Sequence, residues 1–186
     1  MSINTRAIIV VLLLISFLIL TVMGLSYFLV SITGIPARLN IPPGFRLMGL
    51  FVLAMGFFLL FWVFKYRPFS DILVSTYVSI NAAISKQDQT AQGQRIEPLI
   101  ITGPHKFIRH PIYTAVVVIL AGWWLLMDYT FLLFFAGFMT LWFNLVVAPF
   151  EERELRNIFG DQYDTYARTT PRFIPSILKR QSGKPE

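Results

Sequence analysis

TGPHKFIRHPIY, residues 102–113, is the stretch where this chain passes from water into membrane. It holds both of the chain's histidines, two cations, two prolines and two aromatics, and an uncharged run begins at Ile112. A site that serves a water-soluble reactant and a lipophilic one together belongs at such a boundary. Working outward in both directions from this point gives the fold.

Downstream, residues 111–127 are apolar and close at Asp128, and residues 129–150 are a second apolar stretch. A turn at Asp128 and Tyr129 makes the two a tight antiparallel hairpin, which brings Glu151 and Glu152 back to the face that carries His110. Upstream, residues 7–32 carry no charge and are long enough to cross a hydrocarbon core of about 30 Å. Pro36, Pro42, Pro43 and Gly44 interrupt the helix that follows, and residues 47–64, fenced by Arg46 and Lys65, form the second span. Lys65, Tyr66, Arg67 and Pro68 suit an interfacial turn.

Residues 72–85 are uncharged but shorter than the usual span of about 20 residues. Leu73, Tyr77, Ile80 and Ile84 share one helical face, and Ser75, Ser79 and Ala82 form a small-residue face suited to close packing. The expectation is a third span, with an amphipathic interfacial helix as the alternative. Residues 86–94 are polar and lead into residues 95–110, expected as loop and short helix.

Composition agrees with this architecture. Across 186 residues, 55% hydrophobic content and a mean hydropathy of +0.63 are too apolar for a soluble domain. The expected fold class is therefore an all-α polytopic membrane bundle of five transmembrane helices, or four plus one interfacial, with short cytoplasmic helices at the C-terminus. The domain boundaries are 1–94 for the N-terminal helices and linker, 95–180 for the catalytic part and 181–186 for the tail. The absence of cysteine excludes a disulfide framework, an iron–sulfur centre and a thiol nucleophile. A net charge of +6 serves to fix topology and meet anionic headgroups rather than nucleic acid. If all five stretches span, Arg38 and Arg46 share the side of Lys106 and Arg109, and the N-terminus lies outside. With four spans the N-terminus moves inside. Both versions put the region of His110 and the tail in the cytoplasm.

The tail reads as two helices. Residues 150–159 are charged, with Glu152 and Arg156 at i,i+4 spacing and Gly160 suited to a left-handed cap, and Asp161 is placed to cap a helix through Arg168. Residues 171–175, PRFIP, are extended.

No two glycines stand one residue apart, so no G-x-G-x-x-G loop exists, nor does a Walker A motif. His105 and His110 have no third ligand in a suitable pattern, and no metal site is expected. Singly, an interfacial histidine caps or faces water, Pro111 starts a helix without loss of a donor, and Arg109 snorkels. Together, the polar cluster before the hairpin and the carboxylates after it make a pocket, since carboxylates at a membrane border are costly unless paired or functional.

The run GPHKFIRHPIY, followed after a hydrophobic hairpin by Glu151-Glu152, Leu155, Phe159-Gly160, Tyr163, Tyr166 and PRFIP, resembles the isoprenylcysteine carboxyl methyltransferase family of membrane proteins, and is similar to its short members. The resemblance covers residues 95–175. It implies an S-adenosylmethionine-dependent methyltransferase, releasing S-adenosylhomocysteine, whose cofactor sits in a cytoplasmic pocket built by the last two spans and the tail. Carried over, the cofactor-contacting residues are Glu97, Pro98, Leu99, Ile100, His105, His110, Pro111, Tyr113 and Glu151. Glu152 and Arg109 are the catalytic candidates. Members that methylate a prenylcysteine carboxylate have an arginine one turn before the first glutamate, and here that place is Val147.

The implied partners are membrane lipids and a lipophilic small-molecule or prenylated peptide substrate that enters laterally from the bilayer, with a monomer expected. A carboxylate acceptor is already ionised, whereas a lipid amine must lose a proton, for which Glu152 or His105 are the candidates. Two other classes compete: a nicotinamide-dependent membrane sterol reductase, which shares the R-H-P-x-Y and late acidic elements but is longer, and a non-enzymatic membrane scaffold.

Overall fold

The structure, a computed structural model, describes residues 3–85 and 98–175. Glu97, Lys86, Arg95 and the tail 181–186 lie outside the described residues. Every regular element among the described residues is helical.

Helix α1 (Ile3–Thr33) is followed by a connector that ends where Pro43 opens α2 (Pro43–Tyr66), a position at which the missing N–H costs nothing. Helix α3 (Phe69–Ser85) follows Pro68. A single 3₁₀ turn (Gly103–Lys106) leads into α4 (Pro111–Met127), whose bounds match the predicted fourth span. Asp128, in the left-handed conformation at φ 59°, ends α4. Helix α5 (Thr130–Trp142) runs through a π-helical segment (Phe143–Val147) into α6 (Ala148–Phe159), and α7 (Asp161–Thr169) follows Gly160. Among the described residues three helices are long and apolar enough to cross a membrane, Ile8–Thr33, Pro43–Tyr66 and Thr130–Phe159, and Phe69–Val78 and Pro111–Met127 are shorter apolar helices.

Three local expectations are corrected. The fifth apolar stretch and the first tail helix form one continuous 30-residue helix, Thr130–Phe159. At 1.5 Å per residue it rises about 45 Å, so its polar end projects beyond a core of about 30 Å. Asp161 is the first residue of α7 and makes no side-chain cap; Gly160, at positive φ, precedes it. Glu152 and Arg156 do not pair, because Glu152 is on the buried face of α6 while Arg156 reaches Asp164 at 2.8 Å.

Helices α2 and α4 make the closest contact in the bundle, and glycine is the reason. A Cβ on Gly122 would come within 2.7 Å of the Leu53 backbone nitrogen, and one on Gly49 within 2.8 Å of the Leu126 nitrogen. Gly56 faces Ile119 and the Ala115 carbonyl as tightly. Such small-residue seams let membrane helices gain dispersion contacts that lipid tails would otherwise supply. Helix α1 packs on α3 and α5. A core of Phe135, Met139 and Phe143 fills the space between α1, α4 and α5, with Val22, Tyr113 and Val147 against it.

At the α4–α5 turn, the fully buried Asp128 accepts from the Leu39 and Ile41 backbone N–H groups and pairs with Arg46 at 2.9 Å. Arg38 stacks its guanidinium over the Tyr129 ring, 4.4 Å from its centroid. Arg38 and Arg46 therefore sit at the end of the bundle opposite Arg109, and not with Lys106 and Arg109 as the five-span grouping has them. The α1–α2 connector is too short to reach the other end, and Asp128 supplies the acceptors that its backbone lacks.

Candidate functional site

The other end of the hairpin carries the polar cluster. His110 precedes α4, and Pro111, fully buried, is the first helical residue. The extended segment 171–175 lies along it: Arg109 N–H donates to the Pro171 carbonyl at 2.8 Å and His110 N–H to the Arg172 carbonyl at 3.0 Å. Thr114 Oγ1 donates to the Phe173 carbonyl, and Tyr166 Oη to the His105 carbonyl at 2.6 Å. The tail is thus part of the site.

Glu152, 3% exposed, is the hub. Its carboxylate accepts both arms of Arg172, at 2.8 and 2.6 Å, together with Arg109 Nη2 at 3.1 Å and His110 Nε2 at 3.2 Å. Glu151 is more open: Oε1 takes a short hydrogen bond from Tyr113 Oη, and Oε2 faces His110 Nδ1 at 3.4 Å. The rings of Phe173, His110, Tyr113 and Phe143 form a continuous column, with centroids 5.6, 5.7 and 4.7 Å apart, running from the tail to the π segment.

The two histidines are shifted in opposite directions. Burial, which penalises the charged ring, pushes His105 down to about 4, and a hydrogen bond with the Arg109 backbone only partly offsets it. Nε2 of His105 is buried without a partner. With the other ring nitrogen on Arg109, Nε2 is left as a lone-pair acceptor. For His110 burial acts in the same direction but loses to hydrogen bonds with Glu151 and Glu152, so its pKa is raised.

Of the predicted residues, Pro98, Leu99, Ile100, His105, Arg109, His110 and Glu151 line one cleft, with a cavity volume of about 100 Å³. Pro111, Tyr113 and Glu152 are not on its wall. Tyr113 stands behind Glu151 and His110, and Glu152 is covered by its three cationic partners. Arg67, Leu155, Phe159, Tyr163 and Tyr166 complete the lining and were absent from the predicted set. All but Arg67 occur in the late sequence pattern, at spacings that put Leu155 and Phe159 one turn apart on the face that follows Glu151. Arg67 was legible only as an interfacial cation. Tyr163 is fully buried with its Oη unpartnered, and burial pushes its phenol up to about 12, so it stays a neutral donor.

The arrangement offers a half-apolar, half-polar cleft beside the end of a membrane hairpin. Leu99, Ile100, Leu155 and Phe159 suit a flat heteroaromatic group, while His105 Nε2 and Tyr163 Oη have hydrogen-bonding capacity to spare. No curated protein sequence matches the chain significantly. The phospholipid methyltransferase family model matches residues 45–162, from the start of α2 into α7, and so includes both hairpin helices and nearly all of the cleft. A methyltransferase match of that extent displaces the reductase and scaffold alternatives. The chain belongs to the phospholipid methyltransferase family, S-adenosylmethionine-dependent membrane methyltransferases of the isoprenylcysteine carboxyl methyltransferase type.

Proposed function

We propose that the protein methylates the amine headgroup of a membrane lipid at the cytoplasmic interface, with S-adenosylmethionine held in the cleft between α4, α6 and α7. The observation that carries the amine over a carboxylate is Val147, which packs against the Phe135–Met139–Phe143 core where a carboxylate-binding arginine is expected, with Glu151 the acidic group on a cleft wall that also holds Arg67, Arg109 and His110. A carboxylate acceptor would meet a like charge there without the arginine expected at position 147. An ammonium would meet a counter-charge. The family name carries the same implication, a phospholipid acceptor.

Bound in the cleft, S-adenosylmethionine supplies an electrophilic methyl group on a sulfonium. Leu99, Ile100, Leu155 and Phe159 would flank its adenine, His105 Nε2 and Tyr163 Oη would pair with its polar edges, and Pro98 lines the same cleft. Glu151, whose oxygens face Tyr113 Oη and His110 Nδ1, is the carboxylate on the cleft wall that would take the proton a lipid ammonium must give up. Glu152, named as a catalytic candidate, acts instead as a positioning residue, because its charged partners are Arg172, Arg109 and His110, while Arg109, the other candidate, lines the cleft. Pro111 and Tyr113 support His110 and Glu151 from behind. Catalysis rests on holding two reactants in line and excluding water.

Four crossings fit this placement. Arg67, at the end of α2, and Pro98–Ile100 line the same cleft, so both ends of the segment between them lie at one membrane face. A 17-residue α3 inside that segment is then interfacial, as in the alternative weighed above. The site side gains Arg6, Lys65, Arg67, Lys106, Arg109 and the tail, against Arg38 and Arg46 opposite, a bias that supports a cytoplasmic site.

The test is calorimetric binding of S-adenosylhomocysteine and of NADPH to purified protein in detergent, followed by methyl transfer from labelled donor to an aminophospholipid and to a farnesylcysteine. Binding of the sulfur nucleotide alone, with alkali-stable label in the phospholipid, is expected. Base-labile methyl ester on the farnesylcysteine would overturn the acceptor assignment, and no nucleotide binding by folded protein would overturn the site.

A further inference from the structure

The end of the bundle away from the cleft carries a second charged cluster, and its two arginines are not equivalent. Asp128, fully buried, takes Arg46 Nη2 at 2.9 Å and the Leu39 and Ile41 N–H groups at 3.2 Å each, while Arg46 Nε donates to the Ile41 carbonyl at 2.9 Å. The charge of Asp128 is thus matched by Arg46. No other acidic residue occurs in the connector 34–42 or the turn 127–130.

Arg38 is held differently. The connector is stitched to the α4–α5 turn: Thr130 N–H donates to the Ala37 carbonyl at 3.0 Å, Thr130 Oγ1 donates to the Pro36 carbonyl, and Arg38 forms an antiparallel bridge with Tyr129. On this backbone the Arg38 guanidinium carbon lies 4.4 Å from the centre of the Tyr129 ring, and Nη2 donates to Tyr129 Oη at 2.6 Å at an exposed site. Among the described residues the other N–H groups of this fork have no protein partner and no carboxylate faces them.

Depth places the fork at a headgroup. The 17 residues of α4 rise about 25 Å from His110 to Asp128, close to a hydrocarbon core of about 30 Å, so a cleft at one interface puts Arg38 at the other. Ile35, Leu39, Phe45 and Met127 are exposed at the same end, as side chains that meet lipid are.

We propose that Arg38, held on the Tyr129 ring, binds the headgroup phosphate of an anionic phospholipid in the leaflet opposite the cleft. A guanidinium fork matches phosphate geometry, and one already ordered by a ring and a hydroxyl loses less freedom on binding than a snorkelling arginine. With Asp128 matched by Arg46, the cluster keeps a surplus positive charge and has nothing to receive a choline or ethanolamine ammonium. It therefore selects headgroups of net negative charge over zwitterionic ones. The site needs only that the α4–α5 hairpin crosses the membrane, and it stands whether or not the cleft binds a nucleotide.

The test exploits the absence of cysteine. Full-length Leu39→Cys, labelled with a dansyl group beside Arg38, is titrated in dodecylmaltoside with dioleoylphosphatidylglycerol, dioleoylphosphatidylcholine and inorganic phosphate. Phosphatidylglycerol is expected to shift the emission at about fivefold lower concentration than phosphatidylcholine, the scale of one interfacial cation, with inorganic phosphate inert. Adding Arg38→Gln removes that preference, and adding Lys106→Gln, an exposed cation at the other end of the bundle, keeps it whole. Arg38→Lys, which keeps the charge and loses the fork, retains part of it and decides the matter if Arg38→Gln does not fold. Equal titration by the two lipids in the labelled parent, or an unchanged preference in a folded Arg38 variant, overturns the proposal. An equal response to inorganic phosphate would make this a free-anion site and overturn the lipid assignment.

Discussion

The carboxylate of Glu152 receives the fork of Arg172, Nε on Oε1 at 2.8 Å and Nη2 on Oε2 at 2.6 Å, and this pair ties the end of the tail to the end of the membrane hairpin. Arg172 is 38% exposed while Glu152 is 4% exposed at its side chain, so the two partners differ in what their loss leaves behind. Removing Glu152 strands Arg109 and His110 as well as Arg172. Removing Arg172 leaves Glu152 with two cations.

Glu152→Ala is expected to destabilise the protein by about 3–5 kcal/mol, as for one partner of a buried ion pair, and Arg172→Gln by clearly less. Thermal unfolding in one detergent at one pH, read by near-UV circular dichroism, ranks the two. Equal loss from both variants would mean that the carboxylate is no hub.

At the α2–α4 seam, Gly122→Ala and Gly49→Ala each place a Cβ under 3 Å from backbone atoms of the partner helix, which cannot rotate away. Both are expected to lower the melting temperature and the yield of folded protein. Gly24→Ala and Gly137→Ala, which meet nothing within 4 Å, are the matched controls and should be neutral or slightly stabilising through helix propensity. Comparable losses in all four variants would show that the seam is not special.

These positions show where sequence reading succeeds and where it stops. The hairpin was legible because an uncharged run and a single acidic turn residue leave one arrangement, and α4 begins and ends where Pro111 and Asp128 require. The convergence of His105, His110 and Glu151 followed from the same antiparallel geometry. A small-residue face suited to close packing was legible on α3, whereas the close contact that Gly49, Gly56 and Gly122 make between α2 and α4 was not; spacing marks a smooth face but not the partner it meets. Arg38 and Arg46 were grouped by parity of crossings, which a single ambiguous helix inverts. Glu152 was paired with Arg156 by local spacing, and tertiary partners arriving from residues 109, 110 and 172 won because they come with burial.

His110, facing carboxylates through both ring nitrogens, has its pKa raised above the ordinary value of 6.5 in the folded state. A raised folded pKa contributes stability that is fully present below the unfolded value and is lost as pH rises through the folded one. Wild-type stability should therefore fall on the alkaline side of pH 6.5, and S-adenosylhomocysteine affinity should fall with it as the ring releases its hold on Glu151. His110→Gln should flatten that decline. His105, neutral down to about pH 4, should add nothing to the alkaline limb, so His105→Gln should keep the wild-type slope. A melting series from pH 5.5 to 9 on the three proteins decides; an unchanged slope in His110→Gln would remove the imidazolium from the account.

The π segment is the structural step that sets where Glu151 points. Ala148 N–H bonds the Phe143 carbonyl five residues back, and the next residue, Pro149, has no N–H to return to the Leu145 carbonyl and would clash with it in regular α geometry. One extra residue in this turn rotates everything after it relative to α5, so that Phe143 stacks on Tyr113 while Glu151 meets the same tyrosine's hydroxyl two turns later. Pro149→Ala restores the donor and permits an ordinary helical register. That register would suit the helix and spoil the site: Glu151 and Glu152 would turn away from Tyr113, His110 and Arg172. The expected result is retained or raised helix content with at least about tenfold weaker S-adenosylhomocysteine binding, the scale of a lost charge-assisted contact. Helix content and nucleotide affinity measured on the same sample separate the two effects. Full affinity in Pro149→Ala would show that the tail contacts, and not the proline, hold the register of α6.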